Sequence, residues 1–305
     1  TFDNRKSPAE MAGKDVSASK SVAEALMMSG LNWKVEQHSL IDSKSRLVVP
    51  GIKHNVRDYD GASLGIVSNS YKVVQNSQGF DFVDESLGHQ GITLATAGEA
   101  SNGKKVWLQA EMPEMTILGE PVDPYIVFVN QHDGKGGIRI MITPIRLWCK
   151  NQMNFAIKKA SRSWSTQHKG AVEWKMQEAK RTILGANEYM KALETEAEIL
   201  AKIKMDDAAV RTAIETLIPL PKDSDNKRKL QNAEECRAEL MYRYKNADDL
   251  NNIRGTAYGF LNAVSDYTSH AIPKRMTKDY WENNMIRLAS GGSMIDKAYD
   301  IVKVA

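Results

Sequence analysis

The sequence predicts an α+β fold: an antiparallel β-meander with a helix on either side, an α-β-β-β-α core, followed by a C-terminal helical region. Three observations carry this. Between residues 33 and about 143, short β-branched runs are separated by turn signals. Two of these signals, Ser101-Asn102-Gly103 and the glycine-rich run Asp133 to Gly137, have hairpin chemistry. From 145 to 305 the apolar residues recur at threes and fours. The expected division is a mobile arm over 1–20, an α+β core domain over 21–170 and a helical region over 171–305.

The first 20 residues are polar with little periodicity. A short helix follows, capped by Ser21 with Glu24 three residues on, and stopped by Gly30. WKVEQHSLI and RLVVPGIKHNVR read as strands, and Ser68-Asn69-Ser70 reads as the turn of a further hairpin. Helical spacing returns over 77–88, where Phe80, Val83 and Leu87 share a face and Gly88 and Gly91 close it. The meander then runs through ITLATAGEA, KKVWLQAEM, DPYIVFVNQ and IRIMITP. From 145 a helix places Cys149, Met153, Ala156, Ile157 and Ala160 on one side. On the next helix Val172, Met176, Ala179, Ile183, Ala186, Met190, Leu193, Ala197 and Leu200 form a heptad seam, which predicts a homo-oligomer. Pro219 and Pro221 interrupt, and helices follow near 227–245, 255–272 and 292–304.

Composition excludes several classes. At 42% hydrophobic and 26% charged the chain is a soluble globular type, and no apolar run approaches the ~20 residues of a membrane helix. Cys149 and Cys236 lie far apart and read as free thiols in a reducing cytoplasm. There is no phosphate-cradling GxxxxGK[ST], no Cys-x-x-Cys and no His-Glu-x-x-His. His132-Asp133 resembles a metal pair, but it stands before a turn, where an Asp bonds its own backbone. No catalytic residue, metal ligand or cofactor is assigned.

What remains is charge. Net charge is only +3, so affinity for an anion must come from clustering. Gly134 to Val172 holds no Asp and no Glu, while it holds Lys135, Arg139, Arg146, Lys150, Lys158, Lys159, Arg162 and Lys169. On the helix from 145, Asn151, Asn154, Lys158 and Arg162 form one stripe opposite the apolar face. Lys104 and Lys105 add charge at a neighbouring hairpin, and Trp148 and Trp164 could stack on bases. A solvated lysine face is the plain alternative. The pattern favours a phosphate backbone, either single-stranded DNA or RNA, running between hairpin tips and helix.

YKVVQNSQGFDFVDESLG, VWLQAEMP, NQHDGKGGIRIMITPIRLWCKNQMN and GTAYGFLNAVSDY resemble the phage/plasmid-like family of unknown function. Asn130, His132, Asp133, Gly134, Thr143, Pro144, Arg146, Cys149 and Asn151 carry its most specific part. The resemblance implies a cytoplasmic protein of a mobile element, in a bacterial host or phage-infected cell. The order of elements is also similar to single-strand annealing proteins of the Rad fifty-two type, recombination mediators that form rings and bind single strands in a basic groove. Annealing or recombination is the function this implies. A metal-dependent enzyme on nucleic acid, using His132, Asp133 and Asp84 or Glu85, is an alternative, as is a protein that meets a host defence factor.

Overall fold

In the computed structural model, residues 6, 8–84, 91–146, 163–170, 178, 181, 183, 185–221, 227–289 and 294–304 are described. The predicted alternation builds two antiparallel sheets. The smaller joins β2 (Val35–Ile41), β3 (Val48–Arg57) and β4 (Ser63–Ser68) in that order. The larger contains β1 (Lys14–Asp15), β5 (Thr93–Ala100), β6 (Lys105–Glu111), β8 (Glu120–Gln131), β9 (Ile138–Arg146) and β10 (Ser163–Thr166), with β7 (Met115–Ile117) pairing β8. At the β5–β6 turn Ser101 and Asn102 both take φ 57°, the left-handed conformation that Asn tolerates better than most residues.

Period two decides what each face of the large sheet buries. Val106, Leu108, Ala110, Ile126, Phe128, Ile140 and Ile142 join one hydrophobic cluster. That cluster also takes in residues of α2 (Val22–Ser29), α3 (Asn76–Asp84) and the C-terminal helices. Trp107, Val127, Val129 and Met141 point the other way, against Ala9 of α1 (Pro8–Ala12) and Met285 and Ile286 of α8 (Tyr280–Ala289). Between them lie α4 (Ala186–Lys202), α5 (Asp207–Leu217), α6 (Lys227–Asn246) and α7 (Ala257–His270), and α9 (Met294–Val304) follows.

Three expectations change. Residues 8–16, read as part of a mobile arm, are held: Ala9 and Val16 are fully buried and β1 pairs β5. The arm was missed because a five-residue helix shows no periodicity. The hairpin at Ser68-Asn69-Ser70 does not form, because after β4 the chain crosses to the large sheet and Lys72 N donates to the His168 carbonyl at 2.8 Å. The heptad seam on α4 is covered inside the chain: Ala186, Met190, Leu193, Ala197 and Leu200 are buried in the cluster that holds α7 and α9. It therefore gives no motive for self-association. Phe80 and Val83 are buried as predicted, and Ser21 accepts from Glu24 N at 3.2 Å. Val172, Met176, Ala179, Leu87 and the helix predicted from 145 lie outside the described residues past Arg146. Cys236 is a free, half-buried thiol, and Cys149 lies outside the described residues. Among the described residues, no helix is long and apolar enough to cross a membrane.

Candidate functional site

The β8–β9 tip is gripped by the small sheet. Gly65 of β4 sits so close that an added Cβ would lie 2.7 Å from the Asp133 Cα. Asn55 Nδ2 donates to the His132 carbonyl at 2.8 Å, Tyr71 Oη to the Gln131 carbonyl at 3.0 Å, and Asn130 Nδ2 to the Val74 carbonyl at 2.9 Å. His132 is fully buried, with Nε2 2.9 Å from Asn76 Oδ1 and its ring edge-on to Trp33. Burial pushes its pKa down to about 3, with the neighbouring His168 adding to the effect, so the ring is neutral. These bonds fix where the tip lies, and they leave Asn130 Oδ1 and His132 Nδ1 buried without a partner.

The grip leaves a cleft of about 380 Å³ between the tip, β10 and the turn after it. Lys135 and Arg139 line it from the hairpin, Ser165 and Gln167 from β10 and its end, and His168 and Lys169 from the turn. Ser165 stands opposite Arg139 in the β9–β10 pairing. That pairing needs Gly137, where a Cβ would meet the Thr166 carbonyl at 1.8 Å. The inner wall is Tyr71 stacked on His168, with ring centroids 4.6 Å apart and both side chains almost wholly buried. Lys135 and Lys169 are exposed, and Arg139 is half-buried. Asp133 is the acid beside the cleft. Its Oδ1 accepts from Lys135 N at 2.9 Å, the Asx-turn expected of it. Burial lowers the His168 pKa, while the Lys72 carbonyl and Asp133 oppose this. Burial and Asp133 both raise the Tyr71 hydroxyl, which stays protonated.

Of the predicted basic residues, the structure brings Lys135, Arg139 and Lys169 together. Lys104 lies in the neighbouring turn, where its carbonyl accepts from His132 N at 2.8 Å, but it does not line the cleft. Lys105 turns to α8, its Nζ 3.4 Å from Asn283 Oδ1. Arg146 sits at the other end of β9, paired with Val122, roughly 23 Å along the strand from Arg139. Lys150, Asn151, Asn154, Lys158, Lys159, Arg162 and Trp148 lie outside the described residues. Trp164 is on a strand, half-buried, with Nε1 3.4 Å from Glu178 Oε2, so it is no open stacking platform. Tyr71, Gln167 and His168 were missed. Ser-Trp-Ser-Thr alternates as a strand should, and that was the signal available.

The residues suggested as metal ligands do not converge. His132 is engaged with Asn76, Asp84 Oδ1 accepts from Val22 N at 2.6 Å, and Glu85 lies outside the described residues. Among the described residues, no group of three His, Cys, Asp or Glu could hold a metal ion. A second cleft of about 420 Å³ lies against α6, α7 and α8 and includes Cys236 and Tyr267. Of its charged residues, Lys274 pairs with Glu235 and Glu239 with Arg243, while Arg287 donates to Asn284 Oδ1.

No curated protein and no solved structure is a match for this chain. Residues 63–290 match the family described as "Domain of unknown function (DUF932)". That span runs from β4 through α8, contains the tip and the cleft, and is well over half of the sequence, so the chain belongs to that family.

Proposed function

We propose that the chain binds single-stranded nucleic acid, DNA or RNA, with little sequence preference, at the cleft beside the β8–β9 tip. The observation that carries this reading is the convergence of Lys135, Arg139 and Lys169 on one cleft in a chain of net charge only +3. Cations gathered at one place attract a phosphate backbone, whereas the same charges spread over a surface of both signs would cancel. Among the described residues no helix lines the cleft, and the hairpin tip that does is packed against the small sheet, which favours contact with backbone over base edges.

The resemblances noted in the sequence extend the proposal. The binding would serve strand annealing in recombination, by a mobile-element protein working as a homo-oligomer in the bacterial or phage-infected cytoplasm. Binding itself is tested with fluorescent hydroxyl-ended oligonucleotides in low salt. Oligo-dT, oligo-dA and a mixed sequence are expected to bind with similar Kd, and a duplex of equal length more weakly. No binding of any single strand, or a strong preference for one sequence, would overturn the reading.

A further inference from the structure

The β2–β3 hairpin reaches past the sheet that carries it. β3 pairs β4 only from Ile52 to Val56, with Ile52 opposite Ser68, the last residue of β4. From Gly51 back to Val48 its only neighbouring strand is β2, where Ile41 stands opposite Val48. Every residue from Ile41 to Val48 is exposed. The outcome is a two-stranded arm, and such a ribbon alone is marginal in water.

The arm is rooted beside the cleft. Asn69 N donates to the Gly51 carbonyl at 3.1 Å and Tyr71 N to the Ser68 carbonyl at 3.0 Å, while Tyr71 lines the cleft. One tight turn therefore joins the root of the arm to the cleft wall, and the next residue, Lys72, is exposed. From Gly51 to Ser45 the arm spans about 20 Å at the rise of a strand.

Its surface combines cations and aliphatic side chains. Ile41, Leu47 and Val48 are 60%, 69% and 59% exposed. Lys44 and Arg46 stand in the turn, and among the described residues neither side chain has a partner. The acid of the turn is bent inward: Asp42 Oδ1 accepts from Ser45 N at 2.7 Å and from Lys44 N at 3.1 Å. Glu36, the acid of β2, is paired with His38 at 3.0 Å. Arg46 also holds a left-handed φ of 61°, where glycine or asparagine would be less strained. Phosphates complement the two free cations, and aliphatic side chains can pack against bases. A bilayer fits less well, because the charged turn leads the arm and the aliphatic residues follow it.

Resting on the single-strand reading above, we propose that this arm is a second contact for the same strand. The strand runs from the cleft past Lys72 onto the arm, with phosphates on Lys44 and Arg46 and bases against Ile41, Leu47 and Val48.

The test measures affinity for single strands of about 4 and about 16 nucleotides, the short one filling the cleft alone. Lys44→Ala with Arg46→Gly is expected to cut the log–log salt slope for the long strand by up to about 1.4, at about 0.7 per phosphate, and to leave short-strand affinity in place. Glycine at 46 relieves the left-handed φ, so the urea midpoint is expected to hold or rise, which separates a lost contact from a lost fold. Leu47→Ser removes apolar contact but no charge; it is expected to weaken the long strand about fivefold at unchanged slope. Wild-type affinity and slope for the long strand in both variants overturn the arm and leave the cleft standing. A fall in particle mass in light scattering would then assign the arm to a second copy of the chain. Equal losses for short and long strands also overturn it, since the charges would then act at a distance. No binding of either length removes both readings together.

Discussion

His132 is where chemistry and stability meet most sharply. Its ring is buried neutral, with a pKa pushed down to about 3, whereas in the unfolded chain it would take up a proton below about 6.5. The unfolded state therefore binds more protons between these values, and stability is complete above pH 6.5 and falls as pH drops. Between pH 6.5 and 5, urea unfolding of wild type is expected to lose more stability than His132→Gln, by up to about 1.4 kcal/mol per pH unit. Equal pH slopes would contradict a buried neutral ring. Asn55→Ala removes the donor to the His132 carbonyl and is expected to cost about 1–3 kcal/mol, read as a lowered urea midpoint. The string Asn130-Gln131-His132-Asp133-Gly134 was legible as a motif, and a turn was legible at Asp133. Its role was not, because its partners Asn55, Val74 and Asn76 lie 56 to 77 residues away and no local pattern points to them. The local reading weighed a metal pair and chose a turn at Asp133, which forms, but only the packing shows a clasp between two sheets.

Elements were read well where their own period was long. The β5–β6 and β8–β9 hairpins, α2, α6, α7 and α9 follow from alternation, caps and heptad-like spacing alone, whereas the Ser68–Ser70 hairpin did not form and α5 and α8 were not read. Short elements were not legible. The four residues of β10 have only Ser163, Trp164, Ser165 and Thr166 to announce a strand, and α1 has five. Both are held by tertiary contact: β10 by β9, and α1 by Trp107, against which Gly13 fits so closely that a Cβ would come within 2.3 Å of the indole ring. The α4 seam shows the opposite error, a correct pattern with the wrong partner, since a heptad does not say whether its cover comes from another chain. Because Leu193 is buried in the chain's own cluster, Leu193→Ala is expected to cost about 2–5 kcal/mol, with no change of particle mass in light scattering. A fall in mass without loss of monomer stability would return the seam to an interface. Gly137→Ala is expected to force β10 away from β9 and to weaken oligonucleotide binding along with stability, whereas Gly51→Ala, with nothing within 4 Å of the added carbon but a left-handed φ of 82°, should cost stability and leave binding unchanged.

At the scale of the molecule, near-balanced charge hides a local imbalance. The acid-free stretch was visible in the sequence; in the fold Lys135, Arg139 and Lys169 converge, Lys105 is turned to α8, and Arg146 lies far along β9. Sequence distance could not sort these, because Lys169 reaches the tip through β10, an element the sequence barely marks. Surface charges contribute little to folding, typically within half a kcal/mol on substitution, so they can be removed to test binding without unfolding the chain. The most direct measurement is the salt dependence of single-strand affinity for wild type, for Lys135→Ala with Lys169→Ala, and for the exposed control pair Lys227→Ala with Arg228→Ala on α6. Each phosphate contact contributes a log–log slope of about 0.7. Wild type and control are expected to share one steep slope, and the cleft pair to lose up to about 1.4 of it, with weaker binding to every sequence alike. A wild-type affinity that stays flat with salt, or a control pair that weakens binding as much as the cleft pair, would contradict a strand held at this cleft.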